Sequence, residues 1–220
     1  MCQRGYPRLQ PEHAYAHGLL AGALESHLRQ VVDLGFLPEY ELHRGPAGST
    51  PYERAREPGR YDFDRAHDAA NQASNTNVPL ATIRPLLADA DPVVRYWAAM
   101  GVVIRGTEAV RATRDDLVRL LDDAEPGPRI MAAEALGRFG TAEEKERAMA
   151  LLLRDGDPVV NGEFVALLAV YALNQIDDLP DRVKQAVQAL PATPVDAGRK
   201  LRAREDYLPR LKEAIAAGVR

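Results

Sequence analysis

Three hexapeptides align without gaps in this chain. They are Leu87-Ala88-Asp89-Ala90-Asp91-Pro92, Leu121-Asp122-Asp123-Ala124-Glu125-Pro126 and Leu153-Arg154-Asp155-Gly156-Asp157-Pro158. The shared pattern is Leu, any residue, Asp, a small residue, an acid and Pro. Its prolines stand 34 and then 32 residues apart. A period of this length marks a stack of supersecondary units rather than a single folded core. The hexapeptide itself reads as a joint between two helices. The Leu closes the apolar stripe of the helix before it. The acid (Asp91, Glu125, Asp157) is placed to cap the next helix by accepting free backbone N–H groups. Pro92, Pro126 and Pro158 then take the first helical position, where a missing N–H costs nothing. In the second copy, Pro126-Gly127-Pro128 is expected to delay the helix start by two residues.

The helix after each joint repeats as well. Arg95-Tyr96-Trp97-Ala98-Ala99-Met100 aligns with Arg129-Ile130-Met131-Ala132-Ala133-Glu134, and each run reaches a glycine, Gly106 or Gly140, that stops the helix. Small residues at Ala98, Gly101, Ala132 and Ala135 let neighbouring helices approach. The third copy is degenerate, with Asn161 in place of Arg and Phe164 in place of Ala. Terminal repeats depart in this way because they cap the stack. The predicted pairs are 79–88 with 92–105, 114–123 with 127–139, and 142–154 with 158–175. Further helices are expected near 62–74, 181–190 and 204–218. Ahead of them, Leu20, Leu24, Leu28 and Val32 form a stripe on a helix over 11–35 that Gly35 would end, and 36–61 reads as a Pro/Gly-rich extended segment. The fold class is therefore all-α: a solenoid of stacked antiparallel helix pairs over 62–220, preceded by an N-terminal helix and long loop over 1–61. The repeats do not visibly need that first part.

The motif Asp-Pro-Val-Val-Arg-x-x-Ala-Ala, followed by Gly, resembles HEAT repeats in their short bacterial form, over about residues 62–190. The resemblance implies a binding or scaffolding surface. It also implies that Arg95 and Arg129 bridge acids such as Asp91 or Asp123 between adjacent repeats rather than gripping a ligand. Trp97 is expected in the core and Tyr96 at the rim.

A narrower resemblance joins Asp33-Leu34-Gly35-Phe36-Leu37-Pro38-Glu39, Ser49-Thr50-Pro51-Tyr52-Glu53 and the run Asp91 to Gly101. Together they look like the C-terminal HEAT-containing region of certain bacterial sulfatases. The implied partner is a catalytic domain upstream, with 36–61 as the contact. Type I sulfatases use Cys-x-Pro-x-Arg and a Ca²⁺ cluster. Here the single cysteine opens Cys2-Gln3-Arg4-Gly5-Tyr6, which does not fit that motif.

Other chemistry is sparse. A net charge of -4, from 28 basic and 32 acidic residues, argues against nucleic acid as a partner. One cysteine excludes an internal disulfide. The longest apolar run, Phe164 to Leu173, is too short to cross a bilayer, and no signal peptide is legible, so the chain is expected to be soluble and cytoplasmic by default. His13 and His17 stand four apart, but no third ligand is near and they read as surface histidines. His67 with Asp62 and Asp64 is the other cluster, and acids in a first helical turn are expected from the dipole alone. No phosphate loop or activated nucleophile is present. The expectation is a non-catalytic module without metal or cofactor that binds protein. The other readings are an accessory sulfatase region, and a HEAT-fold enzyme acting on nucleic acid or on a chromophore-bearing protein.

Overall fold

The computed structural model describes residues 13–44, 49–191 and 207–219. Cys2, Gly45, Pro46, Gly48 and the expected start of the last helix lie outside them. The described residues contain helices and no strand. In chain order the helices are α1 (Ala14–Val31), α2 (Glu39–His43), α3 (Pro51–Ala55), α4 (Phe63–Ser74) and α5 (Leu80–Ile83), which runs into a 3-10 turn at Arg84–Ala88. Then come α6 (Pro92–Arg105), α7 (Thr107–Ala112), α8 (Arg114–Leu120), α9 (Pro126–Phe139), α10 (Ala142–Asp155), α11 (Pro158–Asn161), α12 (Glu163–Asn174), α13 (Asp181–Ala189) and α14 (Tyr207–Ala217). The fold is an all-α, HEAT-like solenoid.

Its layers follow from the repeats. The second helices α4, α6, α9 and α12 pack side by side, and α5, α8, α10 and α13 lie behind them. Small side chains set the spacing: Ala98, Ala99, Ala132, Ala133 and Ala135 are all buried. At Gly101 an added Cβ would stand 3.0 Å from the Ala73 backbone, so the glycine lets α6 cross α4 at close range. Leu87, Leu117, Leu121, Ile130, Leu136, Leu152 and Leu173 fill one continuous core. Behind it, Arg84 reaches Asp116 and Arg147 reaches Asp122 across successive repeats. These pairs are exposed and contribute little to stability.

The joints differ in detail. Asp91 accepts from the Val93 N–H, and Asp157 from the N–H groups of Val159 and Val160, as helix caps do. Glu125 makes no cap bond; its longer side chain turns to Arg44 instead, at 2.5 Å. The helix there starts at Pro126, not two residues later, since Pro126 and Pro128 both fit the first turn. The third repeat is broken at Gly162, whose φ of 81° is left-handed. This separates the short α11 from α12.

Two further expectations are corrected. α1 ends at Val32 (φ 51°), not Gly35, with the Asp33 N–H closing onto the Leu28 carbonyl. Segment 36–61 is not devoid of regular structure: α2 and α3 lie within it, and Thr50 and Glu53 form a reciprocal capping box for α3.

Candidate functional site

A ladder of arginines ties the second helices to the joints that follow. Arg95 makes a two-pronged pair with Asp123, Nε at 2.7 Å and Nη2 at 2.9 Å, while its Nη1 donates to the carbonyls of Asp89 and Ala90. Arg129 repeats the arrangement: Nε reaches Asp155 at 2.7 Å, and Nη1 donates to the carbonyls of Asp123 and Ala124. One repeat earlier, Arg65 pairs with Asp89. The acceptors Asp89, Asp123 and Asp155 are the third residue of each hexapeptide; the expected bridge to Asp123 is present, and the other acceptors are Asp89 and Asp155 rather than Asp91. Asn161 ends the ladder, donating to the carbonyls of Arg154 and Asp157 but reaching no further repeat. These arginines are structural ties, saturated by their partners.

The second-helix layer is crossed by the chain's own segments. Phe36 lies edge-on to Phe63 and His67, and its carbonyl accepts from the Trp97 indole at 2.8 Å. Tyr40 is buried, and its hydroxyl accepts from the Gly127 N–H at 3.1 Å. Gly127 has no side chain because a Cβ would stand 2.4 Å from that hydroxyl. His43 stacks on Phe164 with ring centroids 3.7 Å apart. Residues 36–43 thus run across α4, α6, α9 and α12 in turn, and the expected boundary at 61/62 passes through this packing. The anchoring reverses the expected burial of two aromatics. Tyr96 is in the core, and Trp97 is half-buried because its N–H serves the Phe36 carbonyl.

On the far side α14 packs against α12 and α13. Between α2 and α14 an apolar cleft of about 530 Å³ remains open. Tyr40, Tyr96, Phe164, Leu167, Leu168, Tyr171 and Leu211 line it, with Asn174, Glu39 and Arg210 as its polar groups. Burial, with the negative Glu134 nearby, pushes the Tyr96 hydroxyl up to about 12, so it stays neutral.

A second hollow lies between α3, the start of α4 and the first joint, and six arginines line it. It is not an anion site. Arg29 pairs with Asp64, Arg44 with Glu125, Arg60 with Glu57 and Arg65 with Asp89. Arg54 donates to the carbonyls of Leu42 and Ser49, and Arg56 to those of Tyr52 and Val31.

The histidine clusters do not assemble. His13 and His17 are exposed. His67 is buried against Phe63 and bonded to Asn71, Asp62 caps α4, and Asp64 faces Arg29. Among the described residues no group of three or more His, Cys, Asp or Glu side chains could hold a metal ion. No helix among them is long and apolar enough to cross a membrane.

α1 is the remaining surface feature. None of its 18 residues is buried. Tyr15, Leu19, Leu20 and Leu24 are exposed, and only Leu28, lower on the same stripe, is half-buried.

Comparison with known proteins agrees with this architecture. No curated protein and no solved structure matches the chain. Residues 80–169, from α5 into α12, match the family model of HEAT repeats.

Proposed function

We propose that this chain is a non-catalytic HEAT-repeat interaction module that holds a protein partner through α1. The exposed stripe of α1 carries the reading. An 18-residue helix with no buried residue is marginal in water, because most helical stability comes from packing an apolar face. Large apolar side chains grouped on an exposed helix mark an interaction surface. Helix-in-groove docking uses anchors at such spacing, here Leu20 and Leu24.

The test is affinity capture with the intact chain and a Leu20→Glu/Leu24→Glu variant in parallel. A protein retained by the first and lost from the second, with unchanged melting, is expected. Identical captured sets would remove α1 from the interface. The non-catalytic half of the reading is tested separately. Purified protein is expected to leave aryl sulfates and aryl phosphates intact, with or without Ca²⁺ or Zn²⁺, and turnover that survives repurification would refute it.

The resemblance of residues 33–39, 49–53 and 91–101 to sulfatase C-terminal regions supports a finer form, in which the partner is a sulfatase catalytic domain. In that form α1 makes the contact, because the inner side of 36–43 is already spent on the array. Co-purification of such a domain with the wild type but not the α1 variant would distinguish it from an unrelated partner.

A further inference from the structure

We propose that the cleft between α2, α12 and α14 is a binding site for a small, neutral, largely apolar molecule that carries a carboxamide group. The proposal is independent of the partner of α1.

Size favours a small molecule over a protein segment. Residues 36–43 cross one side of the second-helix face and α14 occupies the other. What remains is a bounded cleft of about 530 Å³ rather than a groove running along the array. That volume falls within the range of roughly 300–1,000 Å³ typical of ligand pockets, which are mostly apolar with a few placed polar groups.

Chemistry narrows the class. Tyr96 and Asn174 are 8% and 9% exposed, and both line the cleft. Among the described residues, neither the Tyr96 hydroxyl nor the Asn174 side-chain amide has a hydrogen-bond partner. Nearly every other buried polar side chain does: Arg54 meets the Leu42 carbonyl, Thr113 the Ala109 carbonyl, Glu134 meets Arg138, and Asp155 meets Arg129. Neither group is sealed from solvent, so water entering the open cleft can meet both, and a ligand that displaces it must replace those hydrogen bonds. Asn174 offers two N–H donors and a carbonyl acceptor, and Tyr96 offers one further donor. A ligand carboxamide complements this set: its N–H meets the Asn174 carbonyl, and its oxygen accepts from the Asn174 N–H or the Tyr96 hydroxyl. Apolar walls at Leu167, Leu168, Tyr171 and Leu211 take the rest of the molecule. The charged groups of the lining, Glu39 and Arg210, are exposed, so a charged ligand would lose water against the apolar walls without a buried counter-charge.

The experiment uses the full chain and the neutral fluorescent probe N-phenyl-1-naphthylamine, displaced by N-butylbenzamide or by butylbenzene. Saturable probe binding is expected, with the amide displacing it at about tenfold lower concentration than the hydrocarbon, the ratio worth one hydrogen bond. Ala214→Trp fills the cleft from α14 and should abolish the signal without lowering the melting temperature. Asn174→Leu should keep probe binding and lose the preference for the amide. If that variant unfolds, Tyr96→Phe, which removes only a hydroxyl, should reduce the preference instead. Absence of saturable binding, a signal indifferent to Ala214→Trp, or an amide preference that survives both polar substitutions would overturn the site.

Discussion

Asp123 and Asp155 are carboxylates with only 8% and 2% of their side chains exposed, each held by an arginine of the preceding repeat. A charge so placed is stable only while its partner remains. Arg129→Ala would leave Asp155 with Arg154 alone and free the carbonyls of Asp123 and Ala124. It should cost about 3–5 kcal/mol, the scale for breaking a buried ion pair, as read from the shift in denaturant midpoint. A loss below about 1 kcal/mol, the scale of an exposed pair, would show the tie to be ornamental. Gly127 makes a second residue-scale case. Alanine is the better helix former by about 1 kcal/mol, yet its Cβ would meet the hydroxyl of a buried, ring-rigid Tyr40 at 2.4 Å. Overpacking should win, and Gly127→Ala should destabilise by about 1–3 kcal/mol in the same measurement. Much of this scale was legible. Local periodicity identified the arginines, the prolines and the small residues. The bridge to Asp123 was expected from the HEAT resemblance, whereas Asp89 and Asp155 were visible only as repeated letters of the hexapeptide whose role depends on the neighbouring repeat. The Gly127–Tyr40 contact joins residues 87 apart, and no local pattern encodes it.

Elements that fold by stacking on their sequence neighbours were readable, and those that fold onto distant ones were not. α4, α6, α9 and α13 lie close to where capping and apolar spacing put them. Segment 36–61 read as an extended stretch that the repeats do not need, because its anchors on them are three separated rings, Phe36, Tyr40 and His43, on a stretch without helical or strand period. Its packing divides the N-terminal part at α1 instead. A chain starting at Asp33 loses α1, which buries nothing and is tied by the exposed Arg29–Asp64 pair and by Arg56 to the Val31 carbonyl. Its melting temperature should match that of the full chain. A chain starting at Asp62 also loses Phe36 and Tyr40, and leaves Trp97, Phe63 and His67 uncovered. Removing one buried aromatic costs about 3–5 kcal/mol, so this chain should melt far lower. Equal melting of the two truncated chains would mean that 33–61 is dispensable and that the array does begin near residue 62.

At the scale of the whole molecule, a repeat array is held by neighbours, so its stability should be graded along the chain rather than uniform. α9 lies in the middle of the array, touching α6, α7, α8, α10 and α12. Eleven of its residues, Pro126–Pro128 and Ile130–Gly137, are buried. Apolar on nearly every side, it has the character of an interior helix rather than a surface one. Arginine ties meet it from both directions, since Arg95 grips the joint before it and its own Arg129 grips the joint after it. α13 touches α10 and α14, α14 touches α12 and α13, and α1 buries no residue. Amide hydrogen exchange should therefore be slowest in α9 and α6, intermediate in α4, α10 and α12, faster in α13 and α14, and fastest in α1. Gly162 should mark a step within the third repeat, because α11 and α12 do not share a continuous hydrogen-bond ladder there. Arg129→Ala sharpens the test. If the ties couple repeats, protection should fall in α10 and α12 as well as in α9. A loss confined to the turn around Arg129, or protection equal along the whole array, would mean that the molecule opens as one block and that the ladder transmits nothing between repeats.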